Sequence, residues 1–142
     1  MEIKYILQPV LAMGILTFIM TVWMYVVRVS AMVRLRIHPQ KGQDTTKLRD
    51  LLPDKVNRVS NNYNHLFEQP ILFYILALMI AVLNLVDATF VVVAWLYVAV
   101  RIVHSMIQAT VDIVMLRFYV FLTSWVVLAF ILFRTCWLVC SA

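Results

Sequence analysis

From Tyr5 to Val27 the chain runs for 23 residues without a charged side chain. As a helix rising about 1.5 Å per residue, such a run is long enough to cross a hydrocarbon layer of about 30 Å. A secretory leader has a shorter apolar run and ends at small residues, whereas here arginines follow, beginning with Arg28. The segment reads as a retained transmembrane helix. Composition agrees: 64% of the 142 residues are hydrophobic and 13% are charged, against about 45–50% and about 25% in soluble domains. A chain this short has no core large enough to hide that surface. A soluble enzyme is excluded, and two glycines and four prolines exclude collagenous and low-complexity chains.

Further apolar stretches lie at Gln69–Val86, Ala88–Val111 and Phe118–Phe133. The expected fold is all-α: one integral membrane domain over 1–142, a four-helix bundle with helices at about 5–35, 60–84, 88–113 and 116–140. Asn84–Thr89 is a tight connection, and Arg134 is placed to snorkel to the nearer interface. The four tryptophans suit either interface anchors or bundle core.

Charge is concentrated in one place. Between Arg28 and Arg58 stand eight basic residues and three acidic ones, which is the whole of the net +5. Nucleic-acid binding calls for aromatics interleaved with such a patch, and none are interleaved here. The segment reads as a cytoplasmic loop at about 36–57 obeying the positive-inside rule, with both termini outside. Within it, Leu48, Leu51 and Leu52 suit a short amphipathic patch at the membrane surface.

Two polar stripes lie where lipid penalises them. Asn57, Asn61, Asn64, His65 and Glu68 follow helical spacing into the second span, and Tyr97, Arg101, His104, Gln108 and Asp112 follow it along the third. Arg101 lies 13 residues beyond Ala88, close to mid-span, where an arginine costs about 2.5–3.5 kcal/mol on insertion scales. It must face the bundle interior and find a partner. Glu68, the only acid inside the second span, is the expected one. Counted back from the Asn84–Thr89 turn, the two lie about 16 and 12 residues away, or about 24 and 18 Å. Such a pair fits either a register-fixing ion pair or a polar ligand site between helices.

No metal is expected, because His65 and Glu68 at i, i+3 stand alone and in the reverse of the order used by di-metal bundles. Cys136 and Cys140, four apart on one helix, read as small apolar residues rather than a disulfide. Phosphate-loop and nucleophile-elbow patterns are missing.

The residues from Asn57-Arg58-Val59 through Asn64-His65-Leu66-Phe67-Glu68-Gln69-Pro70, and those from Tyr97 to Arg101-Ile102-Val103-His104-Ser105, carry a resemblance. With four helices and a long basic loop after the first, the chain resembles the MAPEG family, the membrane-associated proteins in eicosanoid and glutathione metabolism, and most of all its small bacterial members. The resemblance implies a homotrimer that binds glutathione near the cytoplasmic face and takes a lipophilic substrate from the bilayer. The family's Arg-x-x-x-Asn-x-x-Glu motif falls on Asn61, His65 and Glu68, so only the glutamate is kept. The tyrosine after the glutamate is Gln69 here, and two tyrosines of the third helix are His104 and Gln108. Arg101 matches a family arginine. Arg117 resembles the arginine credited with activating the thiol.

The resemblance therefore implies a thiol-dependent transferase or peroxidase. Asn61, His65, Glu68, Arg101, His104 and Gln108 would bind glutathione as cosubstrate, and Arg117 would be catalytic. The expected setting is a bacterial inner membrane with the 28–58 loop cytoplasmic and lipids as partners. Two rivals stand beside it. A non-catalytic lipid-binding or assembly protein would use the stripes only for helix packing, and a small proton-coupled transporter would use intramembrane Glu, Arg and His as an ion path.

Overall fold

The computed structural model describes residues 1–141. The uncharged N-terminal run forms α1, Lys4–Arg34. Its 31 residues make a rod of about 46 Å, so its basic end projects beyond the hydrocarbon. Ile6, Pro9, Met13, Leu16, Met20 and Met24 form its buried stripe, at steps of three or four that keep one face inward. After a 3₁₀ turn at Pro39–Gln43 comes α2, Thr45–Leu51, capped by Asp44, whose carboxylate accepts from the backbone N–H groups of Thr46 and Lys47. Then follow α3, Asp54–His65; α4, Gln69–Val82; α5, Ala88–Ala109; and α6, Val114–Cys140. α1, the α3–α4 unit, α5 and α6 are each long and apolar enough to cross a membrane.

The helices pack as a square. α1 packs on α4 and α5, and α6 packs on α5 and α4, leaving α4 and α5 across the diagonal. Their inner side chains meet in the middle, where the Phe73 and Tyr97 rings stack at 4.5 Å. The rest of the core is mostly aliphatic, with Met13, Met20, Ile80 and Leu128 buried alongside the Phe90 ring.

The second span differs from the single helix expected at about 60–84. It begins at Asp54, directly after Pro53, and breaks at Leu66–Glu68 before restarting at Gln69. Pro70 is the cause: it has no N–H to give and its ring collides with the preceding turn of any continuous helix. The break closes on itself, with the Leu66 N–H donating to Asn62 and Tyr63 and the Phe67 N–H to Asn64. The basic stretch at 36–57 is also more ordered than a loop. Leu48 and Leu52 are buried against Ala31 and Val56 and only Leu51 points outward, so the leucine patch packs on α1 rather than on the membrane.

Three helix ends place a non-glycine residue in the left-handed region, Arg36, Asn84 and Asp112, each followed or accompanied by a bond back into the last turn. At the far end of the bundle Asp87 caps α5, accepting from the Phe90 N–H at 2.8 Å. Both of its oxygens also take the Arg134 guanidinium, which lies 4.2 Å from the Phe90 ring centre. The snorkelling arginine is thus a clamp between α6 and the α4–α5 turn.

Candidate functional site

The helix break decides what faces where. Had α3 continued, Glu68 would have shared a face with Asn61, Asn64 and His65 and looked toward Arg101. Instead Glu68 turns back along α3, and its carboxylate takes the His65 ring at Nδ1, 2.9 Å away, with the glutamate side chain 62% exposed. The next residue, Gln69, turns inward.

Arg101, fully buried at mid-span, therefore has no carboxylate within 4.0 Å among the described residues. Its Nη1 donates to Gln69 Oε1 and its Nη2 to the backbone carbonyl of His65, each at 3.1 Å. Gln69 Oε1 also lies 2.8 Å from the Ser124 hydroxyl on α6. The expected Glu68–Arg101 pair is not formed. One amide oxygen instead joins three of the four spans at the level where an unpaired charge costs most. Arg101 also ties the end of α3 in place, because it holds the His65 carbonyl.

Above this floor opens a polar cavity of about 320 Å³. Asn61, Asn64, His65 and Glu68 line one wall, Gln108 of α5 and Arg117 of α6 the other, and Arg49 reaches over from α2. Two neighbouring cavities of about 300 and 220 Å³ share Arg49 and Asn61 with it, so the three form one bowl at the basic end of the bundle. Gln108 is buried, and neither its amide nitrogen nor its oxygen has a partner within the protein. Leaving such groups unmatched in a dry setting costs about 1–3 kcal/mol each, and a ligand with its own donors and acceptors relieves that cost.

Arg117 is set by the α5–α6 turn. Its Nη1 lies 2.5 Å from Asp112 Oδ1, the same carboxylate that Arg58 approaches at 3.8 Å. Arg58 also donates to the Thr110 carbonyl. Asp112, which lines the adjoining cavity of about 220 Å³, thus orients the thiol-activating candidate.

Of the seven candidate residues, five (Asn61, His65, Glu68, Gln108 and Arg117) share this cavity. Arg101 and His104 do not line it. Both are buried beneath, Arg101 as the tie just described and His104 with its ring centre 6.3 Å from that of His65 and 5.7 Å from Phe121. Both lie beneath the cavity rather than in its walls, because α4 and α5 face each other across the core.

Arg49 is the lining residue that the sequence did not single out. It stood among eight basic residues of one segment, and no helical periodicity linked it to the stripes. Asn57 carries the signal, since its amide donates to the Arg49 and Leu52 carbonyls at 2.9 and 3.2 Å and so docks the end of α2 on α3. Asn62, also missed, is fully buried with both amide atoms unpartnered. Among the described residues no three His, Cys, Asp or Glu side chains converge.

A family model described as the MAPEG family matches residues 6–137. No curated protein and no solved structure matches the chain. The match reaches into all four membrane-crossing segments and covers every residue of the cavity. The chain is an integral membrane protein and belongs to the MAPEG family.

Proposed function

We propose that the bowl binds glutathione or a closely related thiol, and that the protein uses it to conjugate a lipophilic electrophile or reduce a lipophilic peroxide. The carrying observation is the convergence of Arg49, Glu68, Gln108 and Arg117 around one cavity within the size range of small-molecule sites, about 300–1,000 Å³. Glutathione has two carboxylates, an ammonium, amides and a thiol. The Arg49 guanidinium suits a carboxylate, the second Glu68 oxygen suits the ammonium, and the unpartnered Gln108 amide suits a peptide group. The donor set fits.

When bound, the thiol supplies the sulfur nucleophile. Arg117 stabilises negative charge at the sulfur, since the thiolate is the reactive form and a nearby guanidinium favours it. Asp112 holds Arg117 in one orientation, and Arg101 keeps the His65 end of α3 from moving. An apolar groove of about 250 Å³ begins one turn beyond Arg117, lined by Ala99, Val100, Val103, Val120 and Thr123 between α5 and α6. It supports entry of a lipophilic substrate from the bilayer. The homotrimer, the cytoplasmic placement of the basic end and a bacterial inner membrane belong to the same proposal and rest on the family resemblance and on the charge bias of the 28–58 segment.

The test is thermal unfolding of the detergent-purified protein with and without millimolar glutathione. A ligand at 100 times its dissociation constant stabilises by about 2.7 kcal/mol. The shift should disappear in Arg117→Ala and shrink in Glu68→Gln. Unchanged midpoints for the natural protein would exclude glutathione and turn attention to lipids.

A further inference from the structure

The His65–Glu68 contact has a shape that glutathione binding does not require. His65 is the last residue of α3, and the three-residue break returns Glu68 to its ring. An ionised carboxylate accepts only, so the bond at Nδ1 places the ring proton there and leaves Nε2 as the basic nitrogen. The backbone of the same residue is held by Arg101 through its carbonyl, and its ring packs against Phe121 and His104. The imidazole is thus set at both ends while remaining part of the cavity wall opposite Arg117. As an ion pair alone the contact would count for little, because with side chains 37% and 62% exposed it belongs with surface pairs worth about 0–1 kcal/mol. A carboxylate-oriented histidine in a cleft beside an anion-stabilising arginine is, however, the arrangement of a general base with its positioning residue.

We propose that His65 is the general base of this site, oriented by Glu68 as its positioning residue, and that it removes the proton of a thiol whose sulfur Arg117 then holds as the anion. The proposal rests on the thiol-binding reading above. His65 accepts the thiol proton at Nε2 and becomes an imidazolium, which Glu68 stabilises. The sulfur electron pair forms a bond to the electrophilic carbon, the leaving group departs with its electrons, and His65 returns its proton to the leaving group or to water. Charge is conserved throughout, and no oxidant or reductant enters. The charged and titratable groups around the ring are Glu68 from its own turn, His104 and Arg101 from α5, Arg117 from α6 and Arg49 from α2. Glu68 is the one carboxylate among them, and its bond to Nδ1 fixes which ring nitrogen faces a thiol.

Two probes separate this step from binding: glutathione, and S-methylglutathione, which has no thiol proton. Midpoint shifts report binding, the ultraviolet thiolate band reports deprotonation, and turnover with a chloronitrobenzene electrophile against pH reports catalysis. In the natural protein both probes should stabilise, and glutathione alone should give the band. His65→Gln should keep the S-methylglutathione shift and lose most of the band. Its kcat/KM should fall by about 10²-fold or more, with the remaining activity rising with pH as free thiol ionises. Glu68→Gln should fall between the two, and added imidazole should restore part of the His65→Ala rate. A His65→Gln protein with an unchanged band and pH profile overturns the dyad while thiol binding stands. Loss of the S-methylglutathione shift in His65→Gln makes His65 a binding residue and also overturns it. Absence of a shift with either probe in the natural protein removes the binding reading, and the dyad with it.

Discussion

Replacing Gln69 with leucine tests the account of how this bundle carries a mid-membrane arginine. Gln69 Oε1 accepts from Arg101 at 3.1 Å and lies 2.8 Å from the Ser124 hydroxyl. Leucine of similar volume removes the acceptor and leaves Arg101 with the His65 carbonyl as its one remaining hydrogen-bond partner. A hydrogen bond to a charged group contributes about 1.5–3 kcal/mol and a neutral one about 0.5–1.5 kcal/mol. The hydroxyl still has the Phe121 carbonyl at 2.7 Å, so its loss falls at the low end. The expected destabilisation is about 2–4 kcal/mol, read from reversible unfolding in mixed micelles at fixed detergent composition. Adding Arg101→Met to Gln69→Leu removes the stranded charge, so the double variant should be more stable than Gln69→Leu alone. Its coupling free energy should be about 1–3 kcal/mol. A Gln69→Leu cost below about 0.5 kcal/mol, the usual scale of a neutral surface change, or strict additivity in the double variant, would refute the idea that this amide shelters Arg101.

Three further outcomes follow from particular contacts. The Arg134 guanidinium beside Asp87 holds its carboxyl below the usual value of 3.8. A carboxyl with a lowered folded value contributes stability that is complete above 3.8 and lost as pH falls through the lowered value. Asp87→Asn should therefore reduce stability at neutral pH and flatten its acid-side decline, as measured by unfolding midpoints from pH 6 downward. Asn57→Ala should free the C-terminal end of α2 and withdraw Arg49 from the cavity. The expected result is weaker binding of the glutathione probes, with global stability reduced by no more than about 1 kcal/mol, and calorimetric titration checks it. Arg36 adopts φ 54° after α1, a conformation costing a side-chain-bearing residue about 1–2 kcal/mol. Arg36→Gly should give a net gain of up to about 1 kcal/mol in the same unfolding assay, since glycine's own entropy offsets part of the relief.

The candidate site was legible where it depended on helical spacing alone. Asn61, His65 and Glu68 were readable as a stripe with Gln108 facing them, and Arg117 through the family resemblance. They do meet. What spacing hid was the consequence of Pro70: a three-residue break exchanges the roles of Glu68 and Gln69, so the charged residue goes to the cavity and the neutral amide goes to Arg101. Periodicity treats the two as neighbours on a continuous helix and gives the buried place to the wrong one. Arg49 was illegible for a different reason, because a short helix docked by a few side-chain bonds leaves no repeat in the sequence.

Membrane residence, four spans and the basic end follow from the sequence itself. Long uncharged runs have one low-energy arrangement in lipid, a helix that satisfies every backbone hydrogen bond internally, and that constraint acts on each segment alone. Which helices lie side by side, which polar group answers Arg101, and which residues share a cavity were decided by the tertiary structure. Those outcomes depend on how break points rotate one helix against another, and a rotation of one residue, about 100° around the helix axis, moves a side chain from the core to the cavity.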